Sequence, residues 1–215
     1  MKKSSLILLL WCFTISLKAQ IDKTKGYLYA NGGLNYSSLY ERSSNAPETN
    51  GIFGPELGLS LRVKYKSYWG WGFEVGGYYS MKGVKFKDAN TYADTKVTLD
   101  YGGLFVNGLL YFPLVNDDDI YVGAGIYGLH AFSGKTKSDT TNSSITFGDT
   151  WKRFDGGLQL KAAYEIKNFV ALGLHYDIGV FNNYSATDSR GAEFNGQNSV
   201  LTLFASVRLV KLFEK

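Results

Sequence analysis

Hydrophobic and polar residues alternate along much of the chain with a period of two. Residues 200–213 show this near the end of the chain, where one face carries the apolar side chains Leu201, Leu203, Ala205, Val207 and Leu209. The opposite face is mixed: Thr202, Phe204, Ser206 and Arg208. A period of two over this length is typical of a β-strand. At about 3.3 Å per residue, the segment is long enough to cross a bilayer core as a tilted strand.

Similar segments recur along the chain, and we expect each to form a strand: residues 27–39, 53–65, 71–85, 97–112, 120–132, 151–164, 169–181 and 200–213. The pattern is cleanest in residues 53–65, where Leu57 and Leu59 lie on the face opposite Glu56. The last segment ends at Phe213, which we interpret as the terminus of the strand that closes a barrel.

The connections between these segments alternate in length. The short ones are residues 66–70, 113–119 and 165–168, and the long, polar ones are residues 41–52, 86–96, 133–150 and 182–199. Bacterial outer-membrane barrels have short periplasmic turns and longer external loops. The sequence therefore predicts an all-β fold: an eight-stranded antiparallel transmembrane β-barrel with short periplasmic turns and four longer extracellular loops.

Aromatic residues cluster near both ends of the predicted strands. Near the short turns they are Tyr68, Trp69, Trp71, Tyr111, Phe112, Tyr164, Phe169 and Phe213. Near the long loops they are Tyr40, Phe53, Phe132, Trp151, Phe154 and Phe181. Membrane barrels carry aromatic girdles at both interfaces, because amphipathic rings prefer the headgroup level. We interpret the two groups as such girdles.

The first twenty residues have the features of an export signal rather than of the fold. Lys2 and Lys3 precede an apolar stretch, and a plausible cleavage point follows Gln20. We therefore assign residues 1–20 to a cleaved signal peptide and residues 21–215 to the barrel domain. The only cysteine, Cys12, lies within the signal, so the mature chain has neither disulfides nor thiolate chemistry. Lipidation of Cys12 is disfavoured, since Trp11 precedes it where lipoproteins have a small residue.

The charge balance gives no sign of a nucleic-acid partner. The whole chain has 23 basic and 19 acidic residues. Removing Lys2, Lys3 and Lys18 with the signal leaves 20 against 19, a net charge of +1. A nucleic-acid-binding domain would instead carry a strong basic excess.

Three stretches carry a family resemblance: Gly-Gly-Leu-Asn-Tyr-Ser at residues 32–37, Gly-Pro-Glu-Leu-Gly-Leu-Ser-Leu at residues 54–61, and Phe-Asp-Gly-Gly-Leu-Gln-Leu-Lys-Ala-Ala-Tyr-Glu at residues 154–165. Together with the signal and the eight segments, they resemble the PorT-like family of outer-membrane β-barrels, which are small porin-family barrels. The resemblance implies a location in the outer membrane of a Gram-negative envelope. It implies outer-membrane lipid and the barrel-assembly machinery as partners, and it names no surface ligand.

No motif in the sequence predicts a catalytic centre, a cofactor or a metal. Residues 123–128 match G-x-G-x-x-G, but a strand pattern continues after them where a dinucleotide site needs a helix. His175 and Asp177 share one face and could form a general base, but we favour two members of a lumen network. The run of residues 117–119, all aspartate, is better explained as a solvated turn than as a cation site.

Charged residues recur on the polar faces of the predicted strands. Assigned inward, they are Glu56, Arg62, Lys64, Glu74, Lys82, Arg153, Asp155, Lys161, His175, Asp177 and Arg208. An eight-stranded barrel is only wide enough for its own side chains. Buried charges are tolerated there only when they are paired or hydrated. We therefore expect a structural, salt-bridged plug in the lumen.

Alternation alone does not decide which face points inward, so two other interpretations stay open. An exported, soluble lipocalin-like barrel would turn its apolar faces inward and bind a small apolar ligand. An outer-membrane lipid-modifying enzyme would need a Ser–His pair near the outer interface; His175 lies on the wrong face, and His130 has no carboxylate nearby in sequence. We favour a non-enzymatic outer-membrane barrel whose loops serve envelope structure, adhesion or secretion.

Overall fold

The computed structural model describes residues 24–41, 49–65, 70–86, 95–114, 118–138, 141–148, 150–187 and 193–214. These residues form ten β-strands: β1 (Thr24–Glu41), β2 (Thr49–Tyr65), β3 (Gly70–Phe86), β4 (Thr95–Pro113), β5 (Asp119–Lys137), β6 (Asn142–Ser144), β7 (Phe154–Ile166), β8 (Val170–Gly179), β9 (Tyr184–Thr187) and β10 (Glu193–Glu214). Within these ranges, no helix is long and apolar enough to cross a membrane. The predicted signal peptide, Tyr68, Trp69 and Asp117 lie outside the described residues.

Eight long strands form a closed antiparallel barrel in the described part of the chain. Each pairs with the next in the order β1-β2-β3-β4-β5-β7-β8-β10. The sheet closes because β1 also pairs with β10, from Lys25 opposite Glu214 to Glu41 opposite Gly196, with Phe213 opposite Gly26. At one end of the barrel, the short strand β6 pairs with β5, and the short strand β9 pairs with β10. The predicted fold class is confirmed.

The sorting of the connections is also confirmed. Residues 66–69, 114–118 and 167–169 connect strands at one end, and the longer segments 42–48, 87–94, 138–153 and 180–192 connect them at the other. We call these the short-turn end and the long-loop end. Parts of the predicted loops are strand, notably residues 133–137 of β5 and 193–199 of β10. Backbone pairing continues beyond the apolar alternation, because ladder hydrogen bonds do not require apolar side chains.

The apolar faces point outward. Leu57, Leu104 and Leu203 are 61%, 67% and 61% exposed on the outer wall. Their neighbours of opposite parity, such as Glu74, Lys82 and Asp155, are fully buried inside. A soluble lipocalin-like barrel requires the reverse arrangement, so that interpretation is wrong. An apolar wall around a polar interior is the arrangement of a membrane barrel.

Most of the predicted girdle residues that the structure describes are exposed on the outer wall near its two ends: Tyr40, Phe53, Phe132, Phe154 and Phe181 at the long-loop end, and Phe112, Tyr164, Phe169 and Phe213 at the short-turn end. Trp71 is half-buried and stacks on Tyr65, with 4.0 Å between ring centroids. Two assignments are wrong. Tyr111 is buried in the lumen, on the inward parity of β4, and Trp151 is buried among loop residues before β7 begins.

Candidate functional site

Arg62, from β2, occupies the interior of the barrel and is 1% exposed. Its Nη2 lies 3.1 Å from Oε1 of Glu74, and its Nη1 lies 2.9 Å from Oε1 of Glu165. The guanidinium carbon lies 4.1 Å and 4.8 Å from the ring centroids of Tyr29 and Tyr121. Two carboxylates and two aromatic faces therefore compensate a cation that is removed from bulk water.

Glu74 joins this arginine to a second cation. Its Oε2 accepts a 2.7 Å hydrogen bond from Nζ of Lys161, and its Oε1 accepts a 2.8 Å hydrogen bond from the Ser60 hydroxyl. The hydroxyl of Tyr29 donates to Oε1 of Glu165 at 2.7 Å. Both oxygens of Glu74 are thus bound, as a buried carboxylate requires.

A second group of charges lies nearer the long-loop end. Nζ of Lys82 donates to Oδ2 of Asp155 at 2.9 Å and lies 3.8 Å from Oδ2 of Asp177. Asn198 donates to Oδ2 of Asp155 at 2.9 Å, and Gln159 donates to Oδ1 of Asp177 at 2.8 Å. The amide side chains of Asn198 and Gln159 therefore supply hydrogen bonds to the two carboxylates in addition to the one from Lys82.

His175 and Glu56 also face the interior, with 3.3 Å between Nε2 and Oε1. The imidazole stacks on Phe204, with 5.7 Å between ring centroids. A cavity of about 20 Å³ beside them is also lined by Asn31 and Lys161. That volume suits about one water molecule, and the polar lining offers it partners.

We define the lumen network as the inward ionisable residues that meet in these groups: Glu56, Arg62, Glu74, Lys82, Asp155, Lys161, Glu165, His175 and Asp177. Of the predicted set, Lys64 is separate. It pairs with Asp119 near the short-turn end, and its Nζ lies 4.6 Å from the Tyr111 ring centroid.

Besides Lys64, two further predicted members do not join the lumen network. Arg153 is exposed, donates to the carbonyl of Ala131 at 3.1 Å, and lies 4.4 Å from the Phe147 ring. It precedes β7, so strand parity does not govern its direction. Arg208 is half-buried at the short-turn end, and its guanidinium lies 5.2 Å from the Tyr27 ring. Register places Arg208 opposite Tyr29, but its cation contacts rings at the rim.

Sequence reasoning missed Glu165 and Asp119 because both were assigned to turns. Extending the odd-numbered inward parity of β7 from Asp155 through Lys161 reaches Glu165, and the same parity on β5 reaches Asp119. It also missed the inward tyrosines that surround the cations: Tyr29, Tyr78, Tyr101, Tyr111, Tyr121 and Tyr127. Strand parity places these tyrosines on the polar faces, but only Tyr111 among them has a predicted role, and that role is in a girdle.

An apolar cluster covers the lumen network at the long-loop end. We call it the loop-end cluster; its members include Leu39, Val84, Val97, Leu99 and Trp151, with Phe86, Ile145, Phe147 and Tyr184 packed against it. The ring of Tyr184 lies 4.8 Å from Trp151 and 5.4 Å from Phe86. These contacts join residues of the two longest connections to the inside of the barrel.

One short turn is fastened by a carboxylate outside the wall. The Tyr164 hydroxyl donates to Oδ2 of Asp118, and the backbone N–H of Lys167 donates to Oδ1 at 3.0 Å. These two hydrogen bonds, that of Tyr164 first, lower the pKa of the Asp118 carboxyl. Lys167 and Asn168 adopt left-handed backbone conformations, with φ of 47° and 51°, to complete the tight reversal into β8.

The candidate catalytic motifs lie on β5 and β8. Residues 123–128 lie wholly within β5, where the backbone continues as strand. His130 is exposed on the outer wall, whereas His175 faces the lumen. Within the part of the chain that the structure describes, no group of three or more His, Cys, Asp or Glu side chains is placed to hold a metal ion.

The closed antiparallel sheet, the apolar outer wall and the charged interior define a small membrane β-barrel. A family profile described as an outer membrane protein beta-barrel domain matches residues 19–185. The chain belongs to this outer-membrane β-barrel family, and the outer membrane is its location.

Solved structures of several outer-membrane proteins are similar to this chain. Neisserial surface protein A has 15% identity and a TM-score of 0.45, covering 86% of this chain and 97% of its own. Ail of Yersinia pestis has 13% identity and a TM-score of 0.42, and the match covers 86% of this chain and 99% of Ail. OprG of Pseudomonas aeruginosa has 11% identity and a TM-score of 0.49, and the match covers 87% of this chain and 97% of OprG. No curated protein sequence matches the chain.

Proposed function

We propose that this protein is a non-enzymatic outer-membrane barrel with a plugged lumen, and that its loops carry its function. The observation that carries the proposal is the lumen network. Its ion pairs link β2 and β3 to β7 through the interior, with both Arg62 and Lys82 fully enclosed. A solute would have to separate buried ion pairs, each of which costs several kcal/mol to break.

The wall and the lumen leave the loops as the surface available for contacts with other molecules. Loops held by a rigid scaffold commonly carry binding functions. The loop-end cluster supports such a platform, because it packs Ile145, Phe147 and Tyr184 against residues inside the barrel. Envelope structure, adhesion and an accessory role in secretion all fit this arrangement.

The proposal includes the finer features that the sequence suggests. Residues 1–20 would be removed as a signal peptide, the short turns would face the periplasm, and the four long connections would face the exterior. The three stretches quoted above favour membership of the PorT-like group. Outer-membrane lipid and the barrel-assembly machinery would be partners of the chain, as for other barrels that insert into this membrane.

Single-channel recording in planar bilayers tests the plug. The mature, refolded protein should show no large, steady conductance. A matched variant, Lys82→Ser combined with Asp155→Asn and Asp177→Asn, removes the lysine side chain and both of its carboxylate partners without leaving a lone charge. It should conduct measurably more than the wild-type protein, which shows that the assay detects opening. Stable, porin-sized steps from the wild-type protein contradict the plugged lumen and indicate a pore.

A further inference from the structure

Three lysines lie side by side across three strands at the long-loop end. Lys85 on β3 is directly opposite Lys96 on β4, and Lys96 is directly opposite Lys137 on β5. Lys135 lies two residues along β5 on the same face, opposite Thr98. Neighbouring strands are only about 4.8 Å apart, and like charges directly opposite each other destabilise a sheet. We call Lys85, Lys96, Lys135 and Lys137 the lysine row.

The lysine row faces outward, away from the lumen. Val97 and Leu99 are buried in the loop-end cluster, so Lys96 between Thr95 and Val97 has the outward parity. Lys96, Lys135 and Lys137 are exposed, whereas Lys85 is half-buried and already has a contact. Among the described residues, no carboxylate forms an ion pair with Lys96, Lys135 or Lys137.

The row lies above the apolar wall. On β4 that wall runs from Gly102 to Phe112, about 33 Å along the strand and about 25 Å along the barrel axis at a tilt of about 40°. This matches the height of the hydrocarbon-facing band of such barrels. Lys135, opposite Thr98, lies about 10 Å above Gly102 along the same axis, and Lys96 about 15 Å above it. Long lysine side chains reach back towards the interface, so the ammonium groups of the row come within reach of lipid headgroups.

A polar boundary separates the row from the wall. Asp100 accepts hydrogen bonds from the hydroxyls of Tyr79, at 2.6 Å, and of Ser133. Directly below, Phe132 and Leu104 are 58% and 67% exposed on the outer face. The same three strands thus present exposed ammonium groups above and exposed hydrocarbon surface below.

We propose that the lysine row binds the phosphate groups of an outer-leaflet glycolipid, whose acyl chains lie against Leu104 and Phe132. The inference rests on the proposed function, because it requires this end of the barrel to lie in the outer leaflet. A single phosphorylated glycolipid offers negatively charged phosphates to the lysine row and acyl chains to the apolar surface below it. It compensates the repulsion within the row, since basic residues near an anionic lipid surface are each attracted to it.

The test uses the mature protein folded into vesicles of phosphatidylcholine, with phosphorylated lipid A, with dephosphorylated lipid A, or with neither. The variants are Lys96→Gln, Lys137→Gln and the double substitution. Lys152→Gln is the matched control, because Lys152 is an exposed lysine outside the row. The urea midpoint is read from the gel mobility of unheated samples, and the affinity for lipid A is taken from the lipid dependence of that midpoint.

Phosphorylated lipid A should raise the midpoint of the wild-type protein and of Lys152→Gln alike. Each substitution in the row should weaken the apparent affinity about fivefold. In phosphatidylcholine alone, Lys96→Gln should be as stable as the wild-type protein or more so, because repulsion is relieved. High salt should reduce the difference between wild-type protein and variants, since the charges are exposed.

Three results overturn the inference. Dephosphorylated lipid A could act equally well, the row variants could respond like Lys152→Gln, or soluble polyphosphate could raise the midpoint in phosphatidylcholine as much as the lipid does. The last result would identify a soluble anion instead of a lipid. In each case the protein still folds into vesicles, so these failures are distinct from failure of the proposed function, in which no folded, membrane-inserted barrel forms.

Discussion

Arg62 and Glu165 meet across the full diameter of the barrel. Nη1 of Arg62 on β2 lies 2.9 Å from Oε1 of Glu165 on β7, although these strands are four apart in either direction around the wall. A direct ion pair between opposite walls leaves little space for solute at that level. The pair also ties together strands that share no backbone hydrogen bonds, so it stabilises the closed shape.

Removing the arginine should be costly. Arg62→Met leaves Glu74 and Glu165 buried without their shared cation, and loss of one partner of a buried pair costs about 3–5 kcal/mol. Lys25→Met is the control, because both side chains of its pair with Glu214 are partly exposed, at 34% and 38%, and we expect a cost of about 1 kcal/mol or less. Urea-dependent folding into lipid vesicles measures both changes.

The interaction itself is separated by a double-mutant cycle with Glu165→Gln. Because Arg62 and Glu165 share one network, we expect the double variant to be less destabilised than the sum of the single variants. Additive effects would mean that the two side chains do not interact in the folded barrel. Equal losses for Arg62→Met and Lys25→Met would contradict the distinction between the lumen network and the rim.

Two positions on β10 should respond differently because they face different environments. Leu203 is 61% exposed on the outer wall, opposite Leu34 and Leu174 in the middle of β1 and β8, whereas Ser206 is buried and donates to Oδ1 of Asn31 at 2.5 Å. Arginine at a lipid-facing midplane costs roughly 2–4 kcal/mol in such barrels, so Leu203→Arg should destabilise folding by about that amount. Ser206→Asn should cost less. A neutral Leu203→Arg with a severe Ser206→Asn, measured by folding into vesicles, would show that the two faces are assigned the wrong way round.

The Asp118 turn predicts a pH dependence with a definite sign. Its carboxyl pKa is lowered in the folded protein by the Tyr164 hydroxyl and the Lys167 amide. Its contribution is therefore fully present above the unfolded pKa of about 3.9 and is lost as the pH falls through the lower, folded value. The difference in urea midpoint between wild-type protein and Asp118→Asn should shrink on acidification. A difference that grows in acid would contradict the assignment.

Orientation can be tested with single cysteines in a Cys12→Ser background. Ser143 is exposed on β6 at the long-loop end, and Leu114 is exposed at the short-turn end. A membrane-impermeant thiol reagent should label Ser143→Cys on intact cells and should label Leu114→Cys only after the outer membrane is opened. Labelling of Leu114→Cys, and not of Ser143→Cys, on intact cells would mean that the barrel has the opposite orientation.

The strands could be predicted because hydrophobic and polar residues alternate along their central parts. Leu57 beside Glu56 and Leu158 beside Gln159 identify both the strand and its two faces, and the sorting of loop lengths gives the barrel. Alternation alone, however, does not show which face points outward. The exposure of residues such as Leu57 in the structure shows that it is the apolar face. Boundaries were less accurate, because pairing extends through polar residues such as Glu193–Ser199 in β10.

The members of the lumen network were partly predictable, but their partners were not. Parity places Glu74, Lys82 and Asp155 on the polar faces of their strands. The contact of Lys82 with Asp155, however, depends on how far neighbouring strands are displaced along each other. That shift is set by register across several strands and is invisible to a period of two. Arg153 and Trp151 fall outside the rule because they precede β7 and follow the loop backbone instead.

Labelling of the wild-type protein with a carbene reagent dissolved in the bilayer shows which side chains face lipid. We expect insertion at outward residues of the apolar wall, including Leu104, Leu158 and Leu203. We expect none at inward residues of the same strands, Tyr101, Gln159 and Thr202. Peptide sequencing after photolysis distinguishes them without any substitution. Insertion at the inward residues with sparing of the leucines would contradict a barrel with a charged interior and a lipid-facing apolar wall.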